Sequence, residues 1–119
     1  MFLKLAHTKL DVYKYSRKLI LDAYRVTKLL PKTERYGLIA QIRRAAISIH
    51  LNVAEGSSRK TRPDRKRFFE ISRGSLIKVD TAIGVTYDLG FLTVDQVSDL
   101  GETIVNTFKV LTGLIASQE

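Results

Sequence analysis

The stretch "QIRRAAISIHLNVAEGSSRK", Gln41 to Lys60, decides how this chain folds. Wound at about 100° per residue, it places Gln41, Arg44, Ser48, Asn52 and Glu55 within one arc of about 80°. On one flank of that polar row lie Leu38, Ile42, Ala45, Ile49 and Val53, a heptad-like seam suited to a helical core. On the other flank lie Ala40, Ile47, Leu51 and Ala54. A helix packed on one core needs only one apolar face, so the second flank predicts another surface to bury it. Self-association is the simplest source of that surface.

Spacings of three or four residues within the row predict contacts of Arg44 with Ser48 and of Asn52 with Glu55. Arg44 and Glu55 cannot meet on the same helix. If buried, each needs a partner from another helix or subunit, because stripping the partner from a buried charge costs about 3 to 5 kcal/mol. Glu70 and Arg73, further along the chain, are the candidate partners. Gln41, Arg44, Ser48, Asn52, Glu55 and Arg73 therefore form a candidate polar network or subunit contact. Such a network fixes helix register; the alternative is a ligand or nucleic-acid site.

Working outward, proline occurs only at Pro31 and Pro63, and each falls where one periodic segment stops and another starts. The first segment opens with Thr8 and Asp11 as a capping arrangement. Val12, Leu19 and Val26 recur every seven residues along it, as do Ser16, Ala23 and Leu30. The second is predicted from Thr33, a candidate cap, to Gly56, a candidate C-terminal glycine. Thr61, Pro63 and Asp64 start the third with a cap, an early proline and a first-turn acid. Phe68, Ser75, Ala82 and Leu89 recur along it, as do Ser72, Val79 and Thr86, until Gly90 stops it. Gly74 inside this helix costs about 1 kcal/mol relative to alanine, which predicts another backbone passing close by. Thr93 and Gln96 form a capping box for the fourth helix, with Val97, Leu100, Ile104, Phe108, Leu111 and Ile115 as its apolar row. Alternating strand patterns are absent. Long helices of about 20 to 26 residues with short loops must run antiparallel to their neighbours, so residues 1–119 are expected to form a single all-α domain, an up-down-up-down antiparallel four-helix bundle.

These residues resemble the four-helix-bundle family of proteins encoded in intervening sequences of large-subunit (23S) ribosomal RNA genes. The resemblance lies in "LPKTERYGLIAQIRRAAISI", "NVAEG", "FFEISRGSLIKV" and "LGFLT", about half of the chain. It implies a bundle that assembles into a ring, typically a homopentamer, with no settled biochemical activity. A more distant likeness, in architecture and basic charge alone, is to the accessory proteins of diversity-generating retroelements, which bind nucleic acid and a reverse transcriptase. His50 stands where the family often has proline, which implies a straighter second helix.

Charge is the informative total. Lys and Arg number 20 against 12 Asp and Glu, a net of +8. Residues 1–79 hold 19 basic and 6 acidic side chains; residues 80–119 hold 1 and 6. Such polarity favours an anionic partner for the first part, nucleic acid above all. The best phosphate-contact candidates are Arg59, Lys60, Arg62, Arg65, Lys66 and Arg67, six cations in the nine residues "RKTRPDRKR". A solvated loop is the bland alternative. Phe68 and Phe69 follow directly, but their helical positions favour packing over base stacking.

Catalytic signatures are poor. No HExxH, paired-histidine or glycine-rich phosphate motif accompanies His7 or His50, and the chain has no cysteine. Glu55 has no evident nucleophile or proton donor opposite it. The expectations are no enzyme, no metal and no cofactor. No apolar run approaches the roughly 18 to 20 residues that span a bilayer, and the opening "MFLKL" is too short for a secretory core. A cytoplasmic location without membrane contact is expected. The leading functional reading is a basic homo-oligomeric scaffold that binds RNA or DNA through phosphates. The competing reading is an adaptor that docks an acidic protein partner or a polymerase.

Overall fold

The heptad rows of the sequence become four helices because each can bury one stripe only against the others. A computed structural model describes residues 1–119. Helix α1 spans Asp11–Thr27, α2 Leu38–Ser57, α3 Arg62–Asp88 and α4 Val94–Ala116, with short 3₁₀ turns at Ala6–Lys9 and Lys32–Glu34. Neighbours in sequence run antiparallel, and the bundle measures 44 × 30 × 23 Å. Its core holds Leu19 and Val26 of α1, Ile42, Ile49 and Val53 of α2, Leu76 and Val79 of α3, and Leu100 and Leu111 of α4, all fully buried.

The signals for the later helices behave as local chemistry requires. Thr61 Oγ1 accepts the Asp64 N–H, and Pro63 sits in the first turn of α3. Thr93 and Gln96 satisfy each other's backbone N–H at the start of α4. Gly90 has φ +77°, and around it the Gly90 N–H bonds Tyr87 O while the Phe91 N–H bonds Thr86 O. This is a Schellman stop, which needs a residue at ease in the left-handed region.

The earlier starts differ from expectation. Thr8 does not cap α1: its hydroxyl donates back to Leu5 O inside the 3₁₀ turn, and Leu10 occupies the cap position without a side-chain bond. Thr33 lies in the second 3₁₀ turn, and α2 begins five residues past it, after Gly37. In both places a tight i→i+3 turn uses the residues that would otherwise have capped a helix. At 17 residues, α1 is also shorter than predicted.

Three core assignments change as well. Phe108 is 40% exposed, and Thr103 and Thr107 hold the buried positions of α4. The Thr107 hydroxyl donates to Thr103 O at 2.6 Å, so it enters the core already satisfied. Leu89 is exposed, and Phe69 rather than Phe68 is the buried phenylalanine. Gly74 is exposed, with open space where a Cβ would go, so no backbone of this chain passes near it. Close approach occurs instead at Gly56. It is a buried helical residue rather than a terminator, and an added Cβ would meet Phe69 Cε1 at 2.8 Å and Phe68 Cβ at 3.0 Å.

Candidate nucleic-acid interface

The turn between α2 and α3 gathers the cations because Thr61 and Pro63 restart the helix within a few residues of Ser57. Arg65 is half-buried and holds the turn together. Its Nη1 donates to Arg59 O at 3.1 Å and Lys60 O at 3.0 Å, and its Nε donates to Gln118 Oε1 at 2.8 Å. Lys66 pairs with Glu119 at 3.2 Å. Arg59 pairs with Glu55, one helical turn before it. The guanidinium groups of Arg59 and Arg67 lie 4.8 and 4.5 Å from the Phe68 ring centre. Lys60, Arg62 and Arg67 are exposed and engaged in no ion pair. The six cations thus divide into a scaffold of three and an outward-facing three.

The N-terminal 3₁₀ turn reaches the same pole. His7 and Leu10 share a cavity of about 290 Å³ with Ser57, Arg65 and Gln118. Lys4 lines a neighbouring groove with Ser58 and Phe68 and so flanks the basic turn, a grouping that distance along the chain conceals.

The polar row of α2 does not act as one network. Gln41, Arg44 and Glu55 are exposed, so neither charge is trapped. Ser48 Oγ lies 3.0 Å from Ser75 Oγ of α3, and Asn52 Nδ2 donates to Ser48 O at 2.8 Å and Ser48 Oγ at 3.1 Å. Arg73 donates to Thr112 of α4 and meets neither Arg44 nor Glu55. Residues sharing an arc need not share a partner: Ser48 meets α3, whereas Gln41, Arg44 and Glu55 stay at the solvent edge of the same arc. The second flank is graded: Leu51 is 61% exposed, while Ala40, Ile47 and Ala54 are half-buried.

Three polar clusters escaped the sequence reading. Asp22 is buried between α1 and α4, where Lys18 Nζ at 2.8 Å, Arg25 Nη1 at 3.1 Å and Thr103 Oγ1 at 2.8 Å all donate to its carboxylate. Burial pushes its pKa up, but the hydrogen bonds from Lys18 and Thr103, with the charges of Lys18 and Arg25, hold it below 3.8. The spacing Lys18-x3-Asp22-x2-Arg25 beside an apolar row was the available signal. Between α1 and α2, Arg43 Nε donates to Thr27 Oγ1 at 2.8 Å and its guanidinium covers the Tyr24 ring at 4.3 Å. Two turns further along α2, His50 Nδ1 lies 2.7 Å from the buried Ser16 Oγ, and the His50 ring lies 4.5 Å from that of Tyr13. Burial, then the positive charge of Arg17 and the proximity of His7, lower the His50 pKa from 6.5, so the His50 ring is neutral at pH 7. No three of the chain's His, Asp and Glu residues converge as metal ligands, and no helix is long and apolar enough to cross a membrane.

Comparison with known proteins gives the same architecture. A crystal structure of a protein of unknown function from the S23 ribosomal protein family of Bacteroides thetaiotaomicron superposes with a TM-score of 0.80. The two are 18% identical, and the match covers 87% of this chain and 97% of that one, a likeness of fold. No curated protein matches the chain. The family model for the 23S rRNA-intervening sequence protein matches residues 8–113, nearly the whole bundle, and the chain belongs to that family.

Proposed function

We propose that the protein is a non-catalytic, basic, self-associating scaffold that binds nucleic acid through phosphate contacts with little base discrimination. The observation that carries this reading is the outward set of cations, Lys60, Arg62 and Arg67, exposed and free of ion pairs at one pole of the bundle. Cations without an internal anion are the ones that exchange with the counterions of a phosphate backbone, and a contact made through phosphate is blind to sequence. Support for self-association comes from apolar side chains on the outward faces of α2 and α3: Leu51 at 61%, Ile77 at 51%, Ile71 at 44% and Val85 at 40% exposed. In a ring of copies, such as the pentamer the resemblance implies, the basic poles repeat and modest single contacts add into avidity. The chemistry of the polar groups supports a non-catalytic role: Glu55 is paired with Arg59, and the Ser16 hydroxyl beside His50 is shut away from solvent.

Titrating RNA and DNA of unrelated sequence at rising salt tests this reading. Affinity is expected to fall steeply with salt, and Arg62→Gln and Arg67→Gln are each expected to lower it alike on all sequences and reduce the salt slope by about 1. Absence of binding at about 50 mM salt, where such contacts are strongest, overturns the reading. Recovery of one protein partner that survives nuclease treatment would replace it with the adaptor.

A further inference from the structure

Beside the basic turn runs an open groove of about 840 Å³, walled by the N-terminal arm, by one side of α2 and by Phe68 of α3. Phe2 and Tyr13 contribute rings to its lining, and Leu51 an aliphatic wall. Asn52 and Glu55, the C-terminal half of the polar row, also line it. Asn52 spends its amide N–H groups on Ser48, and its Oδ1 accepts no hydrogen bond from the protein. The same Phe68 that ends the groove carries the Arg59 and Arg67 guanidinium groups on its ring.

We propose that this groove receives an unpaired nucleobase, so that the ligand of the basic pole is single-stranded nucleic acid. This rests on the phosphate-binding reading and narrows it. A strand whose phosphates engage Arg62 and Arg67 brings its sugars and bases alongside Phe68, at the mouth of the groove. A base has two apolar faces and a polar edge. The groove matches that division, with aromatic and aliphatic walls for the faces and the free Asn52 oxygen as an acceptor for an N–H on the edge. Stacking on side chains is open only to a base freed from its pair, so a duplex engages the cations and leaves the groove empty. Charge complementarity favours this occupant over an apolar peptide, since the rim is cationic.

The test compares a single strand with a duplex of the same length and sequence, at one salt concentration, on the full chain. The single strand is expected to bind about tenfold more tightly, in keeping with one stacked base. Phe2→Ala and Leu3→Gln alter exposed, uncharged side chains of the groove that lie outside the core. Each is expected to remove most of that preference while leaving duplex affinity and salt slope unchanged. Strands carrying 5-iodouracil are expected to crosslink to Phe2, Tyr13 or Phe68. Equal binding of the two forms with a steep salt slope would overturn the groove assignment and leave the phosphate reading standing; binding of neither would remove both. Persistence of the preference in both variants would also overturn it, as would a drop in oligomer mass without a change in preference, which would mark the groove as a subunit contact.

Discussion

The seams that join α1 to α4 and α2 to α3 solve the same problem by different chemistry. Between α1 and α4 a buried carboxylate, Asp22, is clamped by two cations and the Thr103 hydroxyl. Between α2 and α3 only neutral groups meet: Ser72 Oγ donates to Ile49 O at 2.8 Å, Ser48 faces Ser75, and Gly56 lets the two Phe68–Phe69 side chains lie against the α2 backbone. The neutral seam is the more extensive of the two. A charged clamp fixes one register at the risk of an unpaired ion, whereas small hydroxyls permit closer and longer packing. The acid sensitivity of the α1–α4 seam should therefore have no counterpart between α2 and α3.

The largest expected effect separates the seams directly. Asp22→Ala removes a buried acceptor of charged hydrogen bonds. Lys18 and Arg25 are more than half exposed and can rehydrate, so the loss is expected near 2 kcal/mol by urea denaturation, below that for a fully buried pair. The pH profile should show two declines. His50 has a folded pKa below 6.5, so the unfolded chain takes up its proton first and stability falls as pH drops from about 6.5 toward the folded value. Asp22 is held below 3.8, so its contribution is intact above 3.8 and is lost as pH falls further; only this second decline should vanish in the alanine variant. A variant within about 0.5 kcal/mol of the parent would reduce the clamp to surface decoration.

Next in size is Gly56→Ala on the neutral seam. The new methyl must displace the Phe69 ring, at roughly 1 to 3 kcal/mol, while alanine returns about 1 kcal/mol of helix propensity. A net loss near 1 kcal/mol, unchanged between pH 7 and pH 3, is expected. The smallest effect has the opposite sign. Gly74→Ala adds a methyl to open space on the outside of α3 and is expected to stabilise the lone chain by a little under 1 kcal/mol. Sedimentation of the same variant reads the outer face: a fall in oligomer mass would mean that a sister copy approaches α3 there.

Legibility in the sequence followed the range of the interaction. Four helices were readable because burying one face requires a repeat of seven, and the Thr61 and Thr93 caps were readable because their bonds close within three residues. Thr8 and Thr33 misled because each falls inside a 3₁₀ turn instead of before an α-helix, and Thr8 spends its hydroxyl on Leu5 O there. Phe108 and Thr107 exchanged places because a threonine bonded to its own helix is apolar in effect, which its residue type conceals. The candidate site was legible as a run of charge. Its division into scaffold and outward cations was not, since Arg65 meets Gln118 and Lys66 meets Glu119 only across the fold. Arg44 and Glu55 share an arc with Ser48 and Asn52, yet angle around a helix does not say which members of the arc reach the solvent edge, as these two do.

An even number of helices returns residues 1 and 119 to the same pole, beside the basic turn, where Lys66 already holds Glu119. A purification tag or fluorophore fused at either position would hang over the surface that any binding assay interrogates. The opposite turn is the better place for a probe. Asp88 and Leu89 are exposed there, at the far end of a bundle 44 Å long, and with no native thiol in the chain one introduced cysteine would be labelled uniquely.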